Sequence, residues 1–211
     1  MAVHTAFNRI VTSPEELRDL LGEPSDRARL KEMASLDEHC RAFIAHAPFL
    51  LFGTANALGQ CDVSPKGDEP GFVRVLDDRT LLIPDRPGNR RFDGLRNILE
   101  NPHIGLIFLI PNVQETLRIN GRACIIRDED PLSQMAARGK TPVFGIGVEV
   151  EEVFLHCPKA FIRSSLWDAA RAGGDRPIPS FARMLLDHTK MQGISEDDMQ
   201  RQLAESIQTT L

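Results

Sequence analysis

The chain has 211 residues, is 42% hydrophobic and 26% charged, and carries a formal net charge of −5. That length buries one substantial core, and the composition excludes a disordered or fibrous protein. An acidic chain without a broad basic face argues against nucleic-acid binding, and the most apolar stretch, Ile104 to Ile110, is too short to span a bilayer.

The first third reads as helix. Ser13-Pro-Glu-Glu16 is a capping box with proline at the first helical position, and Leu17, Leu20 and Leu21 supply a face expected to meet the core. Ser35-Leu-Asp-Glu38 repeats the box before Leu36, Cys40, Phe43, Ile44 and Ala47, which recur at helical spacing until Pro48. The middle changes to short strands: Phe49 to Ala55, Cys61 to Lys66, Phe72 to Leu76 and Thr80 to Pro84, spaced as an antiparallel meander. A helical run from Phe92 to Glu100 interrupts them. Strands resume at His103 to Ile110 and Glu115 to Arg127, where Thr116, Arg118, Asn120 and Arg122 alternate with Leu117, Ile119, Gly121 and Ala123. A short helix at Asp130-Pro131, a long strand from Phe144 to Leu155, and helical segments at Phe161 to Trp167, Phe181 to His188 and Ser195 to Ile207 complete the pattern. No G-x-G-x-x-G follows a first strand, so a dinucleotide-binding parallel sheet is excluded. Many short strands around one helix predict a small antiparallel barrel.

The chemistry concentrates in a basic corner, Asp85-Arg-Pro-Gly-Asn-Arg-Arg91, which joins a strand to a helix start. Forked guanidinium donors match phosphate oxygens, and a helix N-terminus adds free N–H groups. Lys66 and Arg74 lie in the strands just before it, and Asn97 follows it by less than two turns of helix. Cys40, Cys61, Cys124 and Cys157 lie far apart and read as reduced, mostly buried thiols of a cytoplasmic protein; no histidine spacing suggests a metal site. Arg118 and Arg122 read either as ligand contacts or as a wet face ion-paired to Glu115 or Glu149. Trp167 reads either as an anchor for a terminal helix or as an aromatic wall beside Lys159 and Arg163. No residue pattern identifies a catalytic acid, base or nucleophile.

The ordered set Asp62-Val-Ser-Pro-Lys66, Phe72-Val-Arg-Val75, Asn89-Arg-Arg91 and Arg118-Ile-Asn-Gly121 resembles the pyridoxamine 5′-phosphate oxidase-like proteins, in particular a bacterial subgroup of unassigned activity. The resemblance implies an α+β, mainly antiparallel fold: a six-stranded split β-barrel of the FMN-binding type with flanking N- and C-terminal helices. It divides the chain into a helical extension at 1–47, the barrel at 48–156 and a second helical extension at 157–211, within one structural domain. It implies that Arg74 reaches the FMN phosphate and that Arg90 and Arg91, helped by Asn97, complete its site. Ser64, Pro65, Lys66 and Gly67 and the strand from Val75 through Leu82, Ile83, Pro84 and Asp85 would border the flavin through backbone groups. Thr116 and Arg118 would meet its polar edge, with Lys159, Arg163 and Trp167 as outer contacts. FMN is the implied cofactor, ahead of a deazaflavin or haem, and a homodimer with flavin sites at the subunit interface is the implied assembly. The segment Met199 to Leu211 lacks the arginine-rich pattern with which members of the family hold pyridoxal phosphate, so the expected substrate is another small molecule. The expected function is an FMN-dependent oxidoreductase; a non-catalytic flavin- or haem-binding storage or sensor protein is the alternative.

Overall fold

A computed structural model describes residues 6–169 and 176–210. Its elements run α1 (Pro14–Leu21), α2 (Asp26–Leu30), α3 (Glu38–His46), β1 (Phe49–Ala55), β2 (Cys61–Gly67), β3 (Arg74–Val75), β4 (Thr80–Pro84) and α4 (Asp93–Glu100). They continue with β5 (His103–Leu109), β6 (Thr116–Ile126), α5 (Glu129–Ser133), β7 (Gly145–His156), α6 (Lys159–Ser164), α7 (Phe181–Thr189) and α8 (Glu196–Thr210).

Local chemistry explains the helix starts. Ser13 Oγ accepts from the Glu16 amide at 3.2 Å, and the Glu16 carboxylate reaches back to the amide of Thr12, one residue before the cap, in a variant of the expected capping box. The second box is not used as expected. Asp37, not Ser35, caps α3, with Oδ1 accepting from the Cys40 amide at 2.8 Å. That bond holds the Asp37 carboxyl below the usual carboxylate range. The reason lies in packing: Leu36 is buried and its amide donates to Asp78 O at 2.7 Å, so residues 35–36 stay tied to the β3–β4 turn.

The strands form one antiparallel sheet of seven, in the order β2-β1-β5-β6-β7-β4-β3. Alternation along each strand sends one row inward. Leu50, Phe52, Phe108, Ile119, Ile146 and Val148 fill the core, which α3 covers with Cys40 and Ile44 and α4 with Leu95 and Ile98. A bulge at Asn120/Gly121 bends the long β6–β7 ribbon. Only glycine fits there, because a Cβ on Gly121 would lie 2.0 Å from the Glu149 carbonyl oxygen.

This corrects the expectation of a closed six-stranded barrel. The sheet has a seventh strand, β3, and stays open between β2 and β3. Pro70 and Gly71 (φ 85°) break the extended chain, leaving β3 two residues of ladder. Two ion pairs, rather than backbone hydrogen bonds, link the ends of β2 and β4: Lys66–Asp85 at 2.8 Å and Arg86–Asp68 at 2.6 Å.

Two further expectations are corrected. The Leu17-Leu20-Leu21 stripe of α1 does not meet the core; these residues are 47%, 67% and 81% exposed. Of the cysteines only Cys40 is buried, whereas Cys61, Cys124 and Cys157 are exposed. Cys61 opens an edge strand and Cys124 falls on the outward row of β6, so alternation turns both outward. Among the described residues no helix is long and apolar enough to cross a membrane.

Candidate functional site

The basic corner forms one wall of a cavity of about 330 Å³. Strand β4 ends at Pro84, and residues 85–92 climb to the start of α4. Two non-glycine residues there are left-handed, Arg90 (φ 58°) and Phe92 (φ 61°), a conformation that costs a side-chain-bearing residue about 1–2 kcal/mol. Such outliers gather where structure serves a site.

The opposite wall is a tight turn. The amides of Ala137 and Lys140 each donate to the other's carbonyl, at 3.0 and 2.9 Å. Arg138 (φ 50°) and Gly139 (φ 75°) occupy the middle positions, both left-handed as a primed hairpin turn requires. Asparagine or glycine usually stands where Arg138 does, so an arginine held there is a costly choice. From this turn Thr141, Val143 and Phe144 lead into β7, while Gly67 and Asp68 at the end of β2 supply the third side.

Charge within this enclosure is unequally satisfied. Arg86 is bound to Asp68 and also donates to Met135 O at 2.9 Å, and Asp85 is bound to Lys66. Lys140 Nζ donates to Thr209 O at 2.8 Å. Arg90 and Arg138 make no ion pair or side-chain hydrogen bond among the described residues, and both line the cavity. Phe92, Pro87, Val143 and Phe144 give the same space apolar walls. Free guanidiniums beside a partly apolar slot suit a flat ligand with an anionic end.

A second cavity, about 360 Å³, adjoins the first and shares Asp68, Arg86, Ala137 and Arg138 with it. Arg74 lies on this second side, where its Nη1 donates to Gln134 Oε1 at 2.6 Å. Arg74 and Arg90 therefore line different cavities.

Of the residues singled out in the sequence, Gly67, Asp85 and Arg90 line the first cavity and Lys66 braces it through Asp85. Ser64 and Pro65 lie on β2, an edge strand paired only with β1, so one row of their backbone groups is open. Leu82, Ile83 and Pro84 are buried; Leu82 is paired on both sides, with Arg74 and Gly147, whereas Ile83 and Pro84 pair with β7 alone and lie beyond the reach of β3. Val75 is half-buried beside Leu81. Arg91 is turned to Asp93 at 2.7 Å, and this contact holds its guanidinium pKa above the usual value. Asn97 does not turn back to the corner: its Nδ2 donates to Thr54 Oγ1 at 2.9 Å, tying α4 to β1.

The later strand and helix residues line neither cavity. Thr116 is buried opposite His156, and the Arg118 guanidinium sits 5.1 Å over the Phe154 ring. Lys159 and Arg163 are exposed on α6. Trp167 takes the anchoring role: Nε1 donates to Val113 O at 2.8 Å and the ring stacks on Phe161 at 5.6 Å. Sequence reasoning missed Arg86, Arg138 and Lys140. The available signal was Arg138-Gly-Lys140 followed by Pro142, a turn dense in positive charge.

Comparison with known proteins supplies the lineage. Solved structures to which the chain is similar include HupZ of Group A Streptococcus, 22% identical over 57% of this chain and 93% of that one, with a TM-score of 0.46. Others are a putative pyridoxamine 5′-phosphate oxidase from Lactobacillus delbrueckii (22% identical; 58% of this chain, 95% of that one; TM-score 0.45) and an FMN-binding protein from Syntrophomonas wolfei (9% identical; 56% and 88%; TM-score 0.41). No curated protein matches. The family model described as pyridoxamine 5′-phosphate oxidase matches residues 36–157, more than half of the chain, and the chain belongs to that family.

Proposed function

We propose that this protein is an FMN-dependent oxidoreductase acting on a small molecule other than a pyridoxal phosphate. The observation that carries this reading is the pair of guanidiniums, Arg90 and Arg138, that line one partly apolar cavity and have no ion-pair or side-chain hydrogen-bond partner among the described residues. These residues fit FMN by their chemistry. Arg90, Arg138 and Lys140 would hold the phosphate, with Phe92, Val143 and Phe144 flanking the ring. The open backbone row of Ser64 to Gly67 on β2 would face the ring's polar edge.

Bound there, FMN would supply hydride-transfer chemistry. The chain's own residues bind and orient it. Asp68 and Asp85 are each held by a cation, and positioning is their role. Cations near the pyrimidine edge favour the reduced anionic flavin, a task open to Lys66. In this reading residues 48–156 hold the cofactor and residues 1–47 and 157–211 extend that unit. A second copy of the chain completes each site against the exposed β2 edge, where Val63 is 64% exposed.

The second reading, a flavin-binding module without turnover, is favoured by the same fact that both lining carboxylates are engaged. Haem fits less well, because no histidine, cysteine or methionine lines the first cavity among the described residues. The deciding measurement is an absorption spectrum of the purified protein with mass analysis of any released chromophore. Twin bands near ~370 and ~450 nm with released FMN support the flavin reading. Arg90→Ala and Arg138→Ala should each weaken FMN binding by ~10–100-fold. A protein that is colourless and takes up no added FMN breaks this reading. Steady oxidation of NAD(P)H favours the enzyme, and stoichiometric binding without turnover favours the module.

A further inference from the structure

Helix α8 ends at the rim of the first cavity. Thr210 is one of the lining residues, and Lys140 Nζ donates to the Thr209 carbonyl from a turn 69 residues earlier in the chain. The Thr209 and Thr210 hydroxyls return to the carbonyls of Glu205 and Ser206, and the last described turn of α8 contains no basic residue. Lys140 supplies a cation to the Thr209 carbonyl of that turn. The same lysine lines the cavity, beside Arg90 and Arg138.

The two ends of α8 are held differently. Near its start Met199 is buried and Glu196 accepts from Ser180 Oγ, which caps α7. Residues 204–209 are exposed, and Lys140 is the partner that joins this tip to the cavity rim. A fixed root and an exposed tip make the last turn displaceable.

We propose that the last turn of α8 is an autoinhibitory strap: it engages Lys140 while the cavity is empty and is displaced by an anion that enters. This rests on the reading of the cavity as an anion site, with FMN phosphate as its occupant. The physical basis is competition. The Thr209 carbonyl occupies the lysine that lines the cavity beside Arg90 and Arg138, and a phosphate brings a stronger, charge-assisted claim on it. Strap docking and anion binding therefore oppose each other, and the coupling is reciprocal.

The test compares the full chain, a chain ending at Glu205 and Lys140→Met. FMN affinity is read by flavin fluorescence, and amide exchange at residues 205–210 is read with FMN and, separately, with inorganic phosphate. The shortened chain is expected to bind FMN ~3–10-fold more tightly. In the full chain FMN and phosphate should each speed exchange at the helix tip, and Lys140→Met should speed it without ligand. Equal FMN affinities, slower tip exchange with FMN, or unchanged exchange in Lys140→Met overturns the strap. If FMN does not bind at all, the flavin reading fails, and phosphate then decides the strap: faster tip exchange upholds it, unchanged exchange overturns it.

Discussion

The sheet interior and the cavity rim follow opposite rules. In the interior Leu50, Phe52, Phe108 and Ile119 are at most 1% exposed and backbone groups are matched strand to strand. At the rim Arg90, Phe92 and Arg138 hold left-handed backbones, and like charges gather with two carboxylates to offset them. Packing alone would not select that arrangement, since strain and uncompensated charge both reduce stability. The interior is therefore built for stability, and in the proposed function the rim is built for a ligand. Substitutions should separate the two by what they change: folding in one, binding in the other.

Phe108→Ala should break the interior most, costing about 3–5 kcal/mol through lost burial and a cavity. A lower denaturation midpoint with an unchanged slope would register it. Gly121→Ala comes next. The added Cβ meets the Glu149 and Glu151 backbone, which cannot rotate away, so about 1–3 kcal/mol should be lost in the same assay.

Arg138→Gly should move the rim in the other direction. Relief of the left-handed strain should raise stability by about 0.5–1 kcal/mol, while FMN affinity falls ~10-fold or more. A loss of both stability and affinity would show that Arg138 serves packing, and the contrast between the regions would fail there.

The smallest effect concerns His156. Partial desolvation, then Lys31 and Arg118, hold its pKa below the ordinary value of about 6.5. The unfolded chain therefore binds a proton more readily as pH falls, so the stability linked to His156 is complete above about 6.5 and is lost toward acid. His156→Gln should flatten the stability profile between pH 7 and 5; an unchanged profile would remove this histidine from the account.

Element types and their order were legible in the sequence because they follow from short-range rules. Short apolar runs between turn residues marked β1 and β4, period-two alternation marked β6, and Ser13-Pro14 marked a helix start, with the observed bounds falling within a few residues. The site was legible only in part. Arg90 and Asp85 were found through the turn that carries them, whereas Arg138 and Lys140 were missed because the cavity they line joins them to residues far away in the chain. Asn97 was expected at the phosphate and Trp167 was read either as an anchor or as a wall of the site, and each fastens one element to another.

What the sequence by itself determined is the alternation of polar and apolar residues, the turn residues and the local charge, and these suffice for strands, helices and an antiparallel class. Tertiary structure alone decided which cations are free. Arg86, Arg91 and Lys66 resemble Arg90 in sequence, but each is occupied by a carboxylate that folding brings within 2.6–2.8 Å, and Arg90 is not. An ion pair depends on distance in space, and separation along the chain carries no record of it.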